Sequence, residues 1–549
     1  MAWKEEFSVI FLVIWKKNPI FAYLFIPIGE NHRHKTMKHL TLATALLLGC
    51  TLSSWAQNAS RTADYNTIPL PRSIELKSGD AFVVTKDNYD KCISTRIDAN
   101  AKRWANDQHP EDAYEIKVTK KGIEVIGATD AGVFYGMQTL QKSMMGEIAE
   151  GEQVVMPLVE IHDSPEFGYR GVHLDCSRHF FSIEFVKRYI DIMAMHGCNV
   201  LHWHITDDQG WRFEVKKYPK LTEIGAQRDE TVIGHNLPIW DNTSHGGYYT
   251  QEECRDIVRY AAERHITVMP EVDLPGHMVA ALASYPELGC TGGPYKVWGL
   301  WGVADDVLCA GNPLVLQFVK DVLAELIDVF PSKMIHLGGD ECPKVRWQQC
   351  PKCQAKIKEL GITEHDGLKA EDQLQNWLMH EAEQFLSEHG RSMIGWDEIL
   401  EGGVSETASV MSWRGLEGGI AAARTHHNVV MTPIDHCYIN FYQSKNRDAE
   451  PFSFDAYCPL SKVYSIPVVP EVLSKEESKY ILGCQVNLWT EYIPYAEQAE
   501  WMLLPRLAAI SEAQWMTAEA RNYDNFLERL PWLKKLYSKK GYIYSSAIE

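Results

Sequence analysis

Met334-Ile335-His336-Leu337-Gly338-Gly339-Asp340-Glu341 is the stretch from which this chain is best read. The four-residue apolar run has the length and character of a buried strand. Two glycines end it, and they allow a sharp backbone bend or the close approach of a ligand. Two adjacent carboxylates follow, at the mouth of whatever sheet the strand belongs to, where one could act as a general acid. Taken alone, an Asp-Glu pair after a strand is equally well a solvated turn. The rest of the chain decides between the two.

Working outward, the same pattern recurs. Eight β-like runs are Gly171–Ser177, Val200–Asp208, Thr267–His277, Met334–Glu341, Ser392–Glu398, Ser409–Trp413, Val429–Asn440 and Leu482–Glu491. Amphipathic stretches such as Ile183–His196, Glu252–Arg264 and Pro313–Phe330 lie between them. Strand–helix alternation repeated in this way predicts an α/β fold, a (β/α)8 TIM barrel. A doubly wound open sheet is the alternative, but no Gly-rich phosphate loop follows any run. Ahead of the barrel, Phe82-Val83-Val84-Thr85 and Tyr114–Val118 alternate like strands. Lys120-Lys121-Gly122 reads as a hairpin turn, and Asp130 as the cap of a helix through Tyr135 and Leu140. This is a small α+β domain.

The expected organisation is an N-terminal extension and export signal over 1–56, a linker over 57–66, the α+β domain over 67–165 and the barrel with its C-terminal helices over 166–549. No third domain is expected. The signal itself spans 37–56: a basic start at Met37-Lys38-His39, an apolar Leu40–Leu48 and a cleavage site at Ser54-Trp55-Ala56. That predicts an exported protein, periplasmic or at the cell surface. Residues 1–36 admit three readings: translation begins at Met37, the segment is a membrane-associated extension, or Leu47-Leu48-Gly49-Cys50 marks a lipoprotein anchored at Cys50. Neither apolar patch in 1–36 reaches the ~20 residues a membrane span needs.

The net charge of −19, with no basic run, argues against nucleic acid and against an anionic membrane surface. Seventeen Trp and twenty-four Tyr suit a site that stacks on sugar rings, although large cores also hold them. Thirteen cysteines are scattered. Cys290 and Cys309 bracket a Gly- and Trp-rich loop that a disulfide could close. Cys350-Pro351-Lys352-Cys353 stands as a lone CxxC and reads as a surface turn, so neither a metal nor a cofactor is expected.

Barrel sites form at the C-terminal ends of the strands. The runs here lead in order to Arg178, Asp207-Asp208, His277, Asp340-Glu341, Trp396, Trp413, Tyr438 with Asn440, and Trp489 with Glu491. Each residue alone has a structural explanation, a packed Trp or a local ion pair. Aromatics and carboxylates converging on one rim suit a sugar pocket. Neighbouring strands let Asp207, His277 and Glu341 meet, and Asp340 should raise the Glu341 pKa toward working pH. His202-Trp203-His204 could ligate a metal, but such a site also needs histidines on later strands, and runs five and six offer only Trp396 and Trp413, which favours inward-facing packing.

In Tyr169-Arg170-Gly171 through His179, Leu201 through Trp211, Pro270 through His277, His336 through Glu341 and Asn487 through Glu491, the chain resembles the family 20 glycoside hydrolases, the exo-β-N-acetylhexosaminidases. The resemblance implies a substrate-assisted, retaining hydrolysis through an oxazolinium ion. Glu341 would be acid and then base, supported by Asp207 and His277. Asp340 would hold the substrate's acetamido N–H and Tyr438 its oxygen. Trp396 and Trp413 would wall the methyl, Trp489 would stack under the ring, and Arg178, Asn440 and Glu491 would bind outer hydroxyls. The partner implied is an oligosaccharide ending in an N-acetylhexosamine. Asn440 departs from the Asp common among bacterial members, which would relax discrimination against sugars charged at C6. Two other readings remain: a conventional retaining β-glycosidase with Glu341 as acid/base and Glu491 as nucleophile, and a non-catalytic glycan-binding barrel.

Overall fold

The computed structural model of the chain describes residues 60–364 and 367–549. The expected export signal and Cys50 lie outside the described residues. Eight parallel strands close a barrel: β1 (Tyr169–Asp175), β2 (Val200–His204), β3 (Thr267–Leu274), β4 (Met334–Gly338), β5 (Ser392–Trp396), β6 (Ser409–Ser412), β7 (Val429–Met431) and β8 (Ile481–Val486), with β8 pairing back on β1 through Gly483 and Tyr169. Each falls inside or overlaps an expected run. The observed strands end earlier, so the chemistry-bearing residues sit on the loops that follow.

The seventh run shows why. Val429–Met431 is the whole strand, because Pro433 has no N–H to donate and opens a helical turn over Ile434–Cys437. Tyr438 then returns to the sheet through a single parallel bridge to Asn487. The second run likewise stops at His204, and Thr206–Asp207 pairs with Gly210–Trp211 in a short hairpin.

The helices outside the barrel start on side-chain caps. Ser182 accepts from Phe185 N at the head of Ile183–Met195, and Thr250 and Glu253 form a reciprocal capping box at Gln251–Ala262. Asn312 caps Pro313–Val329. The first of these helices buries Phe185, Val186, Tyr189, Ile190 and Met193, each about 1.5–3 kcal/mol of burial.

The preceding domain is a five-stranded sheet, Ser73–Leu76, Val159–Asp163, Tyr114–Thr119, Gly122–Gly127 and Ile93–Ile97 in spatial order, with helix Asp130–Ser143 against it. The turn at Lys120-Lys121 is present as expected. Two expectations change. Thr129, not Asp130, caps the helix, accepting from Ala131 N and Gly132 N. The segment expected as a linker contributes a strand, Ser60–Thr62, which pairs parallel with Gln153–Met156. The domain docks on the barrel through buried Arg170. Its guanidinium donates to Asp112 Oδ2 at 2.8 Å and Tyr135 Oη at 3.0 Å from one side, and to Gly197 O at 2.8 Å and Phe167 O at 2.9 Å from the other.

Candidate active site

A pocket of about 390 Å³ opens at the C-terminal mouth of the barrel. Arg178, Asp340, Glu341, Trp396, Trp413, Tyr438, Asn440, Trp489 and Glu491 all line it. Asp207 and His277, the remaining two expected residues, are buried behind Glu341.

The loop after β4 sets the two carboxylates. Gly338, Gly339 and Glu341 have φ of 64°, 95° and 45°, a left-handed path that glycine makes accessible. A Cβ at Gly338 would lie 1.7 Å from Asp273 Oδ1, so nothing larger fits there. Asp340 and Glu341 therefore diverge because the backbone turns after the strand has ended, and not because adjacent strand residues alternate.

Behind Glu341 a charge relay is assembled. His277 Nε2 lies 3.5 Å from Glu341 Oε2, and His277 Nδ1 lies 3.2 Å from both Asp207 Oδ1 and Asp208 Oδ2. Asp207 Oδ2 is shared by His204 Nε2 at 2.8 Å and Arg178 at 3.0 Å. Burial alone would depress His277, but Asp207 and its neighbours hold the imidazole well above its ordinary range. Burial likewise disfavours the Asp207 anion, yet Arg178 and His277 keep it far below the usual carboxylate value.

The expected order of the two reactive carboxyls is reversed. Contact with His277 lowers Glu341, whose side chain is 42% exposed, while burial pushes Asp340 up to about 6 against the opposing pull of His277. Like-charge repulsion between the two is real, but it falls on Asp340, which is the better buried and the farther from His277, at 4.0 Å. Both shifts run toward a charged imidazole beside an ionised Glu341.

Four pocket atoms are buried without a hydrogen-bond partner: Asp340 Oδ1, Asn440 Oδ1, Trp489 Nε1 and Glu491 Oε2. Burial raises Glu491 to about 7 despite Arg178. Tyr438 stacks near Trp413 with centroids 6.1 Å apart, and burial together with Asp340 keeps its phenol protonated. Trp489 lies across the floor, 5.8 Å from Trp396 and beneath the Arg178 guanidinium at 4.9 Å.

Comparison with known proteins agrees with this geometry. The catalytic-domain profile of glycosyl hydrolase family 20 matches residues 167–518, and that family's domain 2 matches residues 83–164. The chain belongs to glycosyl hydrolase family 20. It is 45% identical over 425 residues to a β-hexosaminidase of Porphyromonas gingivalis, covering 76% of this chain but 53% of that protein. A Vibrio furnissii β-hexosaminidase is 35% identical, with 65% of its length covered. The chain thus spans roughly half to two thirds of these relatives. An Akkermansia muciniphila β-hexosaminidase is 31% identical, over 88% of this chain and 92% of that one. The solved structure of an exo-β-N-acetylglucosaminidase from Vibrio harveyi, in complex with N-acetylglucosamine, superposes with a TM-score of 0.75 at 31% identity, covering 89% of this chain and 79% of that one.

Within this family 20 barrel, Glu271 and Glu398 had no role assigned from sequence. Glu271 stands at the centre of the barrel, with Oε2 2.5 Å from His204 Nδ1 and 2.9 Å from His202 Nε2, while Oε1 accepts from Trp396 Nε1 at 2.9 Å. A buried acid in a strand opposite alternating histidines was the available signal. His202 and His204 do face inward, as expected, held by this carboxylate. Glu398 accepts from Trp413 Nε1 at 2.9 Å and is raised by burial and Asp340 to about 8. The outer wall comes from two distant loops: Trp301–Val303 and Asn236 are joined by Asn236 Nδ2 donating to Trp301 O at 2.8 Å and Trp301 N donating to Asn236 Oδ1 at 3.0 Å.

Proposed function

We propose that this protein is an exported exo-β-N-acetylhexosaminidase that removes terminal GlcNAc or GalNAc, with the substrate's own acetamido oxygen as nucleophile. The observation that carries the reading is Asp340: a buried carboxylate with Oδ1 unpartnered, beside a protonated Tyr438 and the Trp396 and Trp413 rings. An amide arm suits that corner, with its N–H on Asp340, its oxygen on the phenol and its methyl against the indoles.

The carbonyl oxygen attacks C1 while Glu341 gives its proton to the leaving oxygen. An oxazolinium ion forms, and Asp340 offsets the positive charge gathering on its nitrogen. Water then adds to C1, Glu341 takes the water's proton, and the amide oxygen departs, leaving retained configuration. Substrate entry strips water from the half-exposed Glu341, which raises its pKa and draws the proton held on His277. Glu491, raised to about 7 by burial, lies beside Arg178 and is well placed with it to hold hydroxyls. The relative solved with N-acetylglucosamine supports the substrate class.

A thiazoline analogue of the oxazoline tests this. The reading predicts inhibition at concentrations well below the substrate KM. Inhibition no better than that of the free sugar would favour the conventional mechanism with Glu491.

A further inference from the structure

Four cysteines from three separate stretches of sequence converge on one point. Cys290 Sγ lies 3.8 Å from Cys353 Sγ, and Cys309 Sγ lies 3.6 Å from both Cys350 and Cys353. All four sulfurs fall within 4.8 Å of one another, and none is in a disulfide. This overturns two expectations. Cys350-Pro351-Lys352-Cys353 is not a lone surface turn, since Cys353 is fully buried, and Cys290 faces Cys353 as well as Cys309.

A tetrahedral ion with metal–sulfur arms of about 2.3 Å sets its sulfurs roughly 3.8 Å apart along each edge. The spacing observed is that of such a shell. A disulfide would instead bring two sulfurs to about 2.0 Å. We infer that Cys290, Cys309, Cys350 and Cys353 bind one zinc ion as a closed tetrathiolate.

The surroundings fit a thiolate cluster. Cys350 is the N-cap of helix Pro351–Glu359 and Cys353 lies in its first turn, where helix amides and dipole favour negative sulfur. A Cβ on Gly311 would sit 2.2 Å from the Lys352 carbonyl and 2.4 Å from Cys353 N, so the chain leaving Cys309 must cross this knuckle as glycine. Four sulfur ligands select zinc over magnesium or calcium and leave no position open for water, so the ion is structural. Binding releases the thiol protons and involves no redox change.

The location gives the ion a purpose. Cys290 and Cys309 flank the segment that supplies Trp301, Gly302 and Val303 to the pocket wall. Cys350 and Cys353 follow the loop that carries Glu341. The ion staples the wall to the acid's loop without touching sugar.

The test is metal analysis of the full chain purified without chelator, by inductively coupled plasma mass spectrometry. About one zinc per chain is expected. Titration of the wild-type protein with an organomercurial should release that zinc in step with thiol modification. The pair Cys350→Ser/Cys353→Ser should lose it, melt at lower temperature and show a raised KM with kcat less affected. If the variant fails to fold, the wild-type titration still decides. Protein free of zinc, iron in its place, an intact mass four daltons low from two disulfides, or zinc retained after all thiols have reacted would each overturn the assignment.

Discussion

The barrel interior and the pocket directly above it are built from the same residue types and treat them in opposite ways. In the interior, Glu271 is surrounded: His204, His202 and Trp396 bring nitrogens within 2.5–2.9 Å of its two oxygens. In the pocket, Asp340 Oδ1, Glu491 Oε2, Asn440 Oδ1 and Trp489 Nε1 are as well hidden from water and touch no partner. An unpaired buried polar atom costs about 1–3 kcal/mol. Both oxygens of Glu271 avoid that cost, although several interior histidine nitrogens around it do not, whereas Asp340 and Glu491 in the pocket each carry it on one oxygen. The proposed function gives the unpartnered pocket oxygens of Asp340 and Glu491 a ligand to meet, while Glu271 already has its partners.

The largest effect should come from Glu341→Gln, which keeps shape and removes the exchangeable proton. The expected loss in kcat is roughly 10²–10⁴-fold with sugar binding retained, measured by steady-state kinetics alongside ligand titration. A variant that keeps its turnover would remove Glu341 from the chemistry.

Glu271→Ala should act on the other side of the comparison. Glu271 and Asp207 hold buried His204 near 10 against the pull of burial, so the truncation strands a buried cation. The expected cost is about 3–5 kcal/mol of stability, read by denaturant unfolding. An unchanged unfolding midpoint would show that the network is not structural.

Asp340→Asn should separate activity from stability. Activity falls by roughly 10²–10³-fold, because charge stabilisation at the oxazolinium nitrogen is lost. Stability moves the other way. The folded pKa of Asp340, about 6, lies above its ordinary 3.8, so ionising it opposes folding. That cost is absent below pH 3.8 and complete above about pH 6. The Asn variant should therefore melt higher than wild type at pH 7, by on the order of 1–3 kcal/mol, and equally at pH 3.5. For wild type, kcat/KM should drop as pH falls through about 6, as Asp340 takes a proton.

How much of this was legible in the sequence follows from locality. Period-two and helical patterns are local, and all eight barrel strands were placed from them. Strand-end chemistry is nearly local once the barrel is assumed, and nine of the eleven expected residues line one pocket. What escaped depends on distant pairing. Glu271 looks like a misplaced acid until His202 and His204 are set against it. The four cysteines look unrelated until the loops after β3 and β4 meet. The direction of the Glu341 shift was misread because the like charge of Asp340 was given more weight than His277, which the sequence had also placed beside Glu341 and whose contact lowers it.

The smallest effect expected is at Asn440, whose side-chain oxygen is unpartnered in the pocket. Asn440→Asp should lower the preference for a 6-sulfated over an unsulfated aryl glycoside by a few-fold at most. An unchanged ratio would leave Asn440 with no part in reading C6.

The central claim is that the nucleophile belongs to the substrate. The most direct measurement compares kcat/KM for aryl β-glycosides of N-acetyl- and N-trifluoroacetylglucosamine, which occupy nearly the same space but differ in the electron density on the amide oxygen. A fall of several orders of magnitude with fluorination is predicted. Equal rates for the two would contradict the account and return the nucleophile to the protein.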